Sequence, residues 1–190
     1  MSKLRCFIAI SLSKKVVQKL KNLLQRLSPP PGIRLVEPET LHLTLNFIGE
    51  VDDIETPAIS KKLAEVTSLG AFELKLGGFG AFPRLDHPRV VWVGAEIGAA
   101  EATFLNRVYR DVIEDFGFTQ EKRFVPHLTL ARIKFSSTEG NEFCKRLQHQ
   151  VENIEFEPFE VSHVTLYNSI LEKQGATHIP LATIPLSDPD

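Results

Sequence analysis
Two α+β lobes, each with a mainly antiparallel sheet backed by two helices, are the fold this sequence predicts, on three observations. Strand-length apolar runs and helix-period stretches follow one another without the regular alternation of a doubly wound sheet. The stretch Leu41-His42-Leu43-Thr44-Leu45 returns eighty-five positions later as Pro126-His127-Leu128-Thr129-Leu130. No linker of disordered composition separates the halves, so residues 1–190 are expected to form one domain with its lobes packed together.

The elements follow in order. Cys6 to Ile10 is an apolar run of strand length, and Ser11 to Ser13 supplies helix-cap chemistry. From Lys14 to Leu27, apolar Val16, Val17, Leu20, Leu23, Leu24 and Leu27 recur at helical spacing, until Ser28-Pro29-Pro30-Pro31-Gly32 stops the helix. Ile33 to Val36 reads as a brief strand and Thr40 to Gly49 as the first motif strand. Asp52 and Asp53 can cap a helix carrying Ile54, Ile59, Leu63 and Val66, which ends near Gly70. Phe72, Leu74 and Leu76 alternate with Glu73 and Lys75, as on a half-exposed strand. The glycines of Gly77-Gly78-Phe79-Gly80 lack the context of a phosphate-binding loop and read as a turn or bulge. Phe82-Pro83 and Asp86 to Pro88 bracket another turn, and Val90 to Gly94 is strongly β-prone. Helices are expected from Glu101 to Phe116 and from Glu142 to Val151, with the second motif strand from Phe124 to Phe135 between them. Glu155 to Leu171 contains strand material, and Ile179 to Ile184 can add a last strand.

Composition narrows the function classes. Hydrophobic residues make up 43% and charged ones 24%, the ordinary globular range. A net charge of −2 argues against a broad nucleic-acid-coating surface but allows a small site for a strand end. The two cysteines, Cys6 and Cys144, form neither a disulfide framework nor a metal-type spacing, which suits a reducing cytoplasm. No signal peptide is visible, and no stretch approaches the ~20 apolar residues of a membrane span. A soluble cytoplasmic protein is expected.

The repeated motif carries the chemistry. Residues i and i+2 of a strand share a face, so His42 and Thr44 point one way while Leu43 and Leu45 enter the core. His127 and Thr129 do the same in the second copy. A shared tetrapeptide is weak alone, but each copy sits in an apolar run and keeps an isoleucine at the same offset, Ile48 and Ile133. This is the signature of a duplicated unit with one polar pair per copy. His163-Val164-Thr165-Leu166 spells the pattern a third time, yet Tyr167-Asn168-Ser169 follows and the isoleucine is missing. His163 is therefore set apart from the pair. His87 and His149 read as surface residues, and His178, near a strand start, stays open. Threonine is a poor zinc ligand, and no carboxylate recurs at a common offset, so no metal is assigned.

Two histidines facing each other suit phosphoryl transfer by general acid and base, one ring taking a proton as the other gives one. A threonine beside each ring can donate a hydrogen bond to a phosphate oxygen. Arg132 would offset phosphate charge, with a surface salt bridge as the alternative role. The rival reading from another class is a non-catalytic module that binds RNA ends in the same groove.

The pair His42-Leu43-Thr44-Leu45 and His127-Leu128-Thr129-Leu130 resembles the HxTx motifs of the two-histidine phosphoesterases. The similarity is greatest to RNA 2′,3′-cyclic phosphodiesterases, also called 2′-5′ RNA ligases. It extends to Arg5-Cys6-Phe7-Ile8-Ala9-Ile10, to Leu41 through Glu50, to Phe124 through Arg132, and to Leu166 through Leu171. The resemblance implies a bilobal fold with the active-site groove between pseudo-symmetric lobes. It also implies opening of terminal 2′,3′-cyclic phosphates on RNA or oligonucleotide ends to 2′-phosphates, without cofactor or metal, and reversible 2′-5′ ligation as a further activity. By position, His42 would donate a proton to the departing 3′ oxygen and His127 would activate water. Thr44, Thr129 and Arg132 would hold the phosphate. Phe7, Phe47 or Phe82 could stack a terminal base, with core packing as the alternative for each. A monomer acting away from membranes is expected. The chain departs from the family at His178, near where tyrosine is more usual, and at the third His-x-Thr of His163.

Overall fold
Each strand and helix takes its place from which faces it must bury. The computed structural model describes residues 2–135, 137–172 and 175–187. β1 (Lys3–Ser11) buries Cys6 through Ile10 without a break, because it lies inside its sheet and is covered on both faces. Ser13 then caps α1 (Lys14–Leu24), its hydroxyl oxygen accepting from the Val16 N–H at 3.3 Å. β2 (Ile33–Leu35), β3 (His42–Asp52) and α2 (Thr56–Val66) follow. β4 (Phe72–Arg84) and β5 (His87–Ile97) form a long hairpin, then α3 (Ala99–Asp115) leads to β6 (His127–Ile133). Ser137 caps α4 (Thr138–Glu152), and β7 (Phe159–Val161), β8 (His163–Glu172) and β9 (Gly175–Pro185) complete the chain.

The strands form two antiparallel sheets, ordered β3-β1-β8-β9 and β2-β6-β5-β4-β7. The mixed α+β class with two antiparallel sheets and four helices is as expected. α2 and α3 pack on each other and on the first sheet, through β9 and β3, while α4 packs on β4 of the second. α1 lies beside the connection from α4 to β7, where Lys19 Nζ donates to the Glu155 carbonyl at 2.6 Å and pairs with Glu157.

Neither sheet is built from one half of the chain. The first joins N-terminal β1 and β3 to C-terminal β8 and β9, and the second joins N-terminal β2 and β4, with β5 at the middle of the chain, to C-terminal β6 and β7. Leu43 and Leu45 of one sheet, with Leu128 and Leu130 of the other, belong to a single buried cluster. Residues Gly77 to Gly80 take the bulge alternative: β4 runs through them with a register shift between Gly77 and Phe79, and Gly78 sits at φ +72°. Gly80 has a packing reason as well, since a Cβ there would run into the Trp92 indole on β5. Among the described residues no helix is long and apolar enough to cross a membrane.

Candidate active site
β3 and β6 begin on the two motif histidines, and the turn before each strand fixes its ring. His42 Nδ1 lies 2.6 Å from the carbonyl oxygen of Thr40. His127 Nδ1 lies 2.7 Å from that of Val125. A carbonyl can only accept, so Nδ1 carries the hydrogen in both rings and Nε2 is left to exchange a proton. Both partners sit two residues before the histidine, so the duplication extends to tautomer and ring orientation.

The strands then share a second device. In β3, Thr44 pairs with Ala9 and Asn46 with Ile8, which leaves Leu45 opposite no residue. In β6, Thr129 pairs with Trp92 and Ala131 with Val91, which leaves Leu130 unmatched. A bulge therefore follows the threonine in each copy and reverses the alternation of faces. Its consequence is local and chemical. On an unbroken strand Arg132, five residues after His127, would point away from that ring. Past the bulge Arg132 pairs with Val90, on the same face of β5 as Trp92 and Gly94, the partners of Thr129 and His127. The matching position in β3 is Phe47, which shares a face with Thr44 and His42 in the same way.

A bulge leaves carbonyls that the ladder does not serve, and each lobe satisfies them differently. Leu130 O accepts from Val36 N–H at 2.9 Å, just past β2. β3 is an edge strand without such a neighbour. There the Asn106 side-chain amide of α3 donates to Leu45 O at 2.8 Å, and Gln120 donates to Phe47 O at 2.7 Å. Asn46, at the position of Ala131, turns inward and donates to the Asn106 backbone carbonyl at 3.2 Å.

Rings surround both histidines. Phe7 lies 4.8 Å from His42 between ring centroids, and His178 meets His42 edge-on at 5.0 Å. Phe82 meets His127 edge-on at 4.9 Å, with Trp92 at 5.8 Å. Burial drives His42 well below its usual range, to about 4, against the opposing pull of the Thr40 carbonyl; the charges of His178 and Arg132 add to the depression. Burial lowers His127 too, opposed by the Val125 carbonyl and assisted by Arg132. Arg132 contributes in the same direction at both rings. Both rings stay half-buried, open to solvent on one side. The backbones of β3 and β6 approach within 8 Å at several points although they belong to different sheets.

The remaining candidates separate by position. Thr44 and Thr129 are half-buried beside their histidines. Arg132 is exposed and forms no ion pair or hydrogen bond among the described residues. A cavity of about 370 Å³ opens beside it, lined also by Arg34 and Lys134; neither His42 nor His127 lines that cavity. Phe47 is 64% exposed on the motif face. Phe7 takes the packing alternative: it is 2% exposed, stacked on Tyr167 at 5.2 Å and set against His42. Phe82 is half-buried. His163 is exposed at the start of β8, with no ring contact to the cluster. His178 joins the cluster from β9, a placement the sequence left open. Sequence reading missed Asn106 and Gln120, whose only trace is a polar residue at a helical core position and another in a loop. It also missed Tyr167, whose hydroxyl lies 2.9 Å from that of Ser11. Among the described residues no three metal-ligating side chains gather.

The family model described as LigT like phosphoesterase matches residues 10–92 and 97–178, the first segment holding β3 and the second β6. An RNA 2′,3′-cyclic phosphodiesterase of Archaeoglobus fulgidus is 34% identical over 172 residues, covering 90% of this chain and 94% of the relative. One from Aeropyrum pernix is 40% identical over 144 residues, covering 75% of this chain and 80% of its own. Among solved structures, E. coli LigT complexed with 3′-AMP superposes with a TM-score of 0.77 at 27% identity, over 98% of this chain and 100% of that one.

Proposed function
The chain belongs to the LigT-like phosphoesterase family, and on that premise we propose that it opens 2′,3′-cyclic phosphates at RNA or oligonucleotide ends, leaving a 2′-phosphate. The relatives named above are RNA 2′,3′-cyclic phosphodiesterases, which supports this substrate class. The observation that carries the mechanism is the matched fixing of two histidines, each with Nδ1 held by a carbonyl and Nε2 free, under the field of one arginine.

His127 Nε2 takes a proton from the attacking water, whose oxygen bonds to phosphorus. The bond from phosphorus to the 3′ oxygen breaks, and His42 Nε2 supplies the proton that makes the 3′ hydroxyl. Thr44 and Thr129 donate hydrogen bonds to the two non-bridging oxygens, and Arg132 offsets their charge. In the free protein His42 sits at about 4 and is neutral at pH 7. The proton it donates therefore depends on the bound phosphate, whose negative charge favours imidazolium and counters Arg132. A ribose hydroxyl in place of water would give 2′-5′ joining by the same two rings. The exposure of Phe47 on the motif face supports its assignment to base stacking.

The test supplies an oligonucleotide ending in a 2′,3′-cyclic phosphate, with chelator present, to wild-type protein, His42→Ala and His127→Ala. The wild type is expected to yield the 2′-phosphate, and each substitution to lower kcat by roughly 10³-fold or more with the fold retained. Tight binding without turnover would favour the RNA-end-binding module instead. Activity lost on adding chelator would call for a metal.

A further inference from the structure
We infer that His178 is a positioning residue for His42, holding that ring edge-on from the far strand of the same sheet and competing with it for one proton. The inference rests on the proposed role of His42.

The two lobes treat their histidines alike except here. His127 is met edge-on by a phenyl ring, Phe82 at 4.9 Å, and His42 by an imidazole, His178 at 5.0 Å. One lobe thus has an inert wall where the other has an ionisable one. His178 enters from β9, at the opposite edge of the sheet from β3, and also contacts Phe7 edge-on at 4.9 Å. It is built into the cluster and is not a passing surface ring.

Its own hydrogen-bonding state follows from burial. His178 Nδ1 is buried without a partner, and Nε2 makes no hydrogen bond among the described residues. An unpaired buried N–H costs more than an unpaired buried lone pair, so the ring hydrogen belongs on Nε2. Protonating His178 would place a charged N–H at that unpartnered site, against a ring already opposed to charge. The other groups facing the pair are Tyr167 from β8, with centroids 6.5 Å from His42 and 6.4 Å from His178, and Arg132 from β6. β1 contributes the apolar Phe7 and the neutral hydroxyl of Ser11, the cross-strand partner of His42. The turn Pro38–Thr40 packs on β9, and its Glu39 carboxylate is paired with Lys21. Two positive rings 5.0 Å apart repel, so the pair takes up its two protons in separate steps as pH falls. The motif histidine of this lobe then shares its proton with a neighbour that His127 lacks.

The experiment follows each imidazole by NMR titration in the free wild-type protein, His178→Gln and His42→Ala. His178→Gln keeps a polar edge but removes the competing base. His42 is expected to titrate higher in it, by about half a unit or more, while His127 stays where it was. By reciprocity His178 should titrate higher in His42→Ala by a similar amount. On cyclic phosphate ends His178→Gln should lower kcat several-fold with KM within about twofold of wild type, the mark of misaligned chemistry with binding kept. An unmoved His42 titration, or one in which His127 moves equally, would overturn the inference. So would a rise in KM at constant kcat. Because the titrations need no substrate, a wild-type protein that fails to open cyclic phosphates would count against the proposed reaction and leave this result readable.

Discussion
At the scale of single residues, the site is two copies of one arrangement with different surroundings. Each histidine gives its Nδ1 hydrogen to a backbone carbonyl two residues earlier, so neither Nδ1 takes a side-chain hydrogen-bond partner. The proposed role of the threonines is to hold the phosphate. Thr44→Val and Thr129→Val keep the β-branched shape and remove only the hydroxyl. Each is expected to lower kcat by about 10²-fold, the scale for losing one donor to a developing oxyanion, with the thermal midpoint unchanged. Steady-state kinetics beside a melting curve would check both. The proposed mechanism also requires one neutral and one charged ring. kcat should fall on the acid side as His127 is protonated and on the alkaline side as His42 in the complex loses its proton, giving a bell. A flat profile between about pH 5 and 9 would contradict the pairing.

At the scale of elements, the bulge after each threonine brings a fifth residue onto the catalytic face. The two lobes then diverge, placing Arg132 on one side and Phe47 on the other. Edge strand β3 depends on side-chain amides for what backbone pairing supplies in the second lobe. Asn106→Leu should leave the Leu45 carbonyl unpaired in a dry site, at a cost of roughly 1–3 kcal/mol. For a chain of this size that is a fall of several degrees in the thermal midpoint, read by calorimetry. Because the bulge sits beside Thr44, kcat should fall as well, whereas an unaltered kcat would show that the bulge holds its shape without the amide.

At the scale of the whole molecule, each sheet draws strands from both halves of the chain. Residues at both ends of the chain build the sheet that carries His42, so the site closes only when β8 and β9 have docked. Acid stability follows from the same packing. His42 sits at about 4 in the folded protein against an ordinary 6.5, so the unfolded chain binds a proton there that the folded one refuses. Stability should therefore drop as pH falls from about 6.5 toward 4 and level off below, by a few kcal/mol at most from this group. His42→Ala removes that contribution. Denaturant midpoints at pH 7 and pH 4 should lie closer together in the variant than in the wild type, and equal spacing would place the acid sensitivity elsewhere.

The sequence by itself determined the element order as far as the fourth helix, where Glu155 to Leu171 read as one stretch is divided into β7 and β8, and the inward leucines of both motif strands, because side-chain alternation on a strand is a local rule. It determined the histidine and threonine pairs for the same reason, and composition bounded the broad class. What only the tertiary structure decided were features that depend on neighbours distant in the chain. The bulges that turn Arg132 and Phe47 onto the site are visible only in the register against β1 and β5. Phe7 could not be sorted from Phe47 until Tyr167 and His42 covered it. Asn106, Gln120 and His178 carry no motif, and their significance lies in which backbone carbonyl or ring they meet across the fold. Local periodicity writes itself into sequence, whereas contact between distant segments is fixed by packing, and this site depends on both.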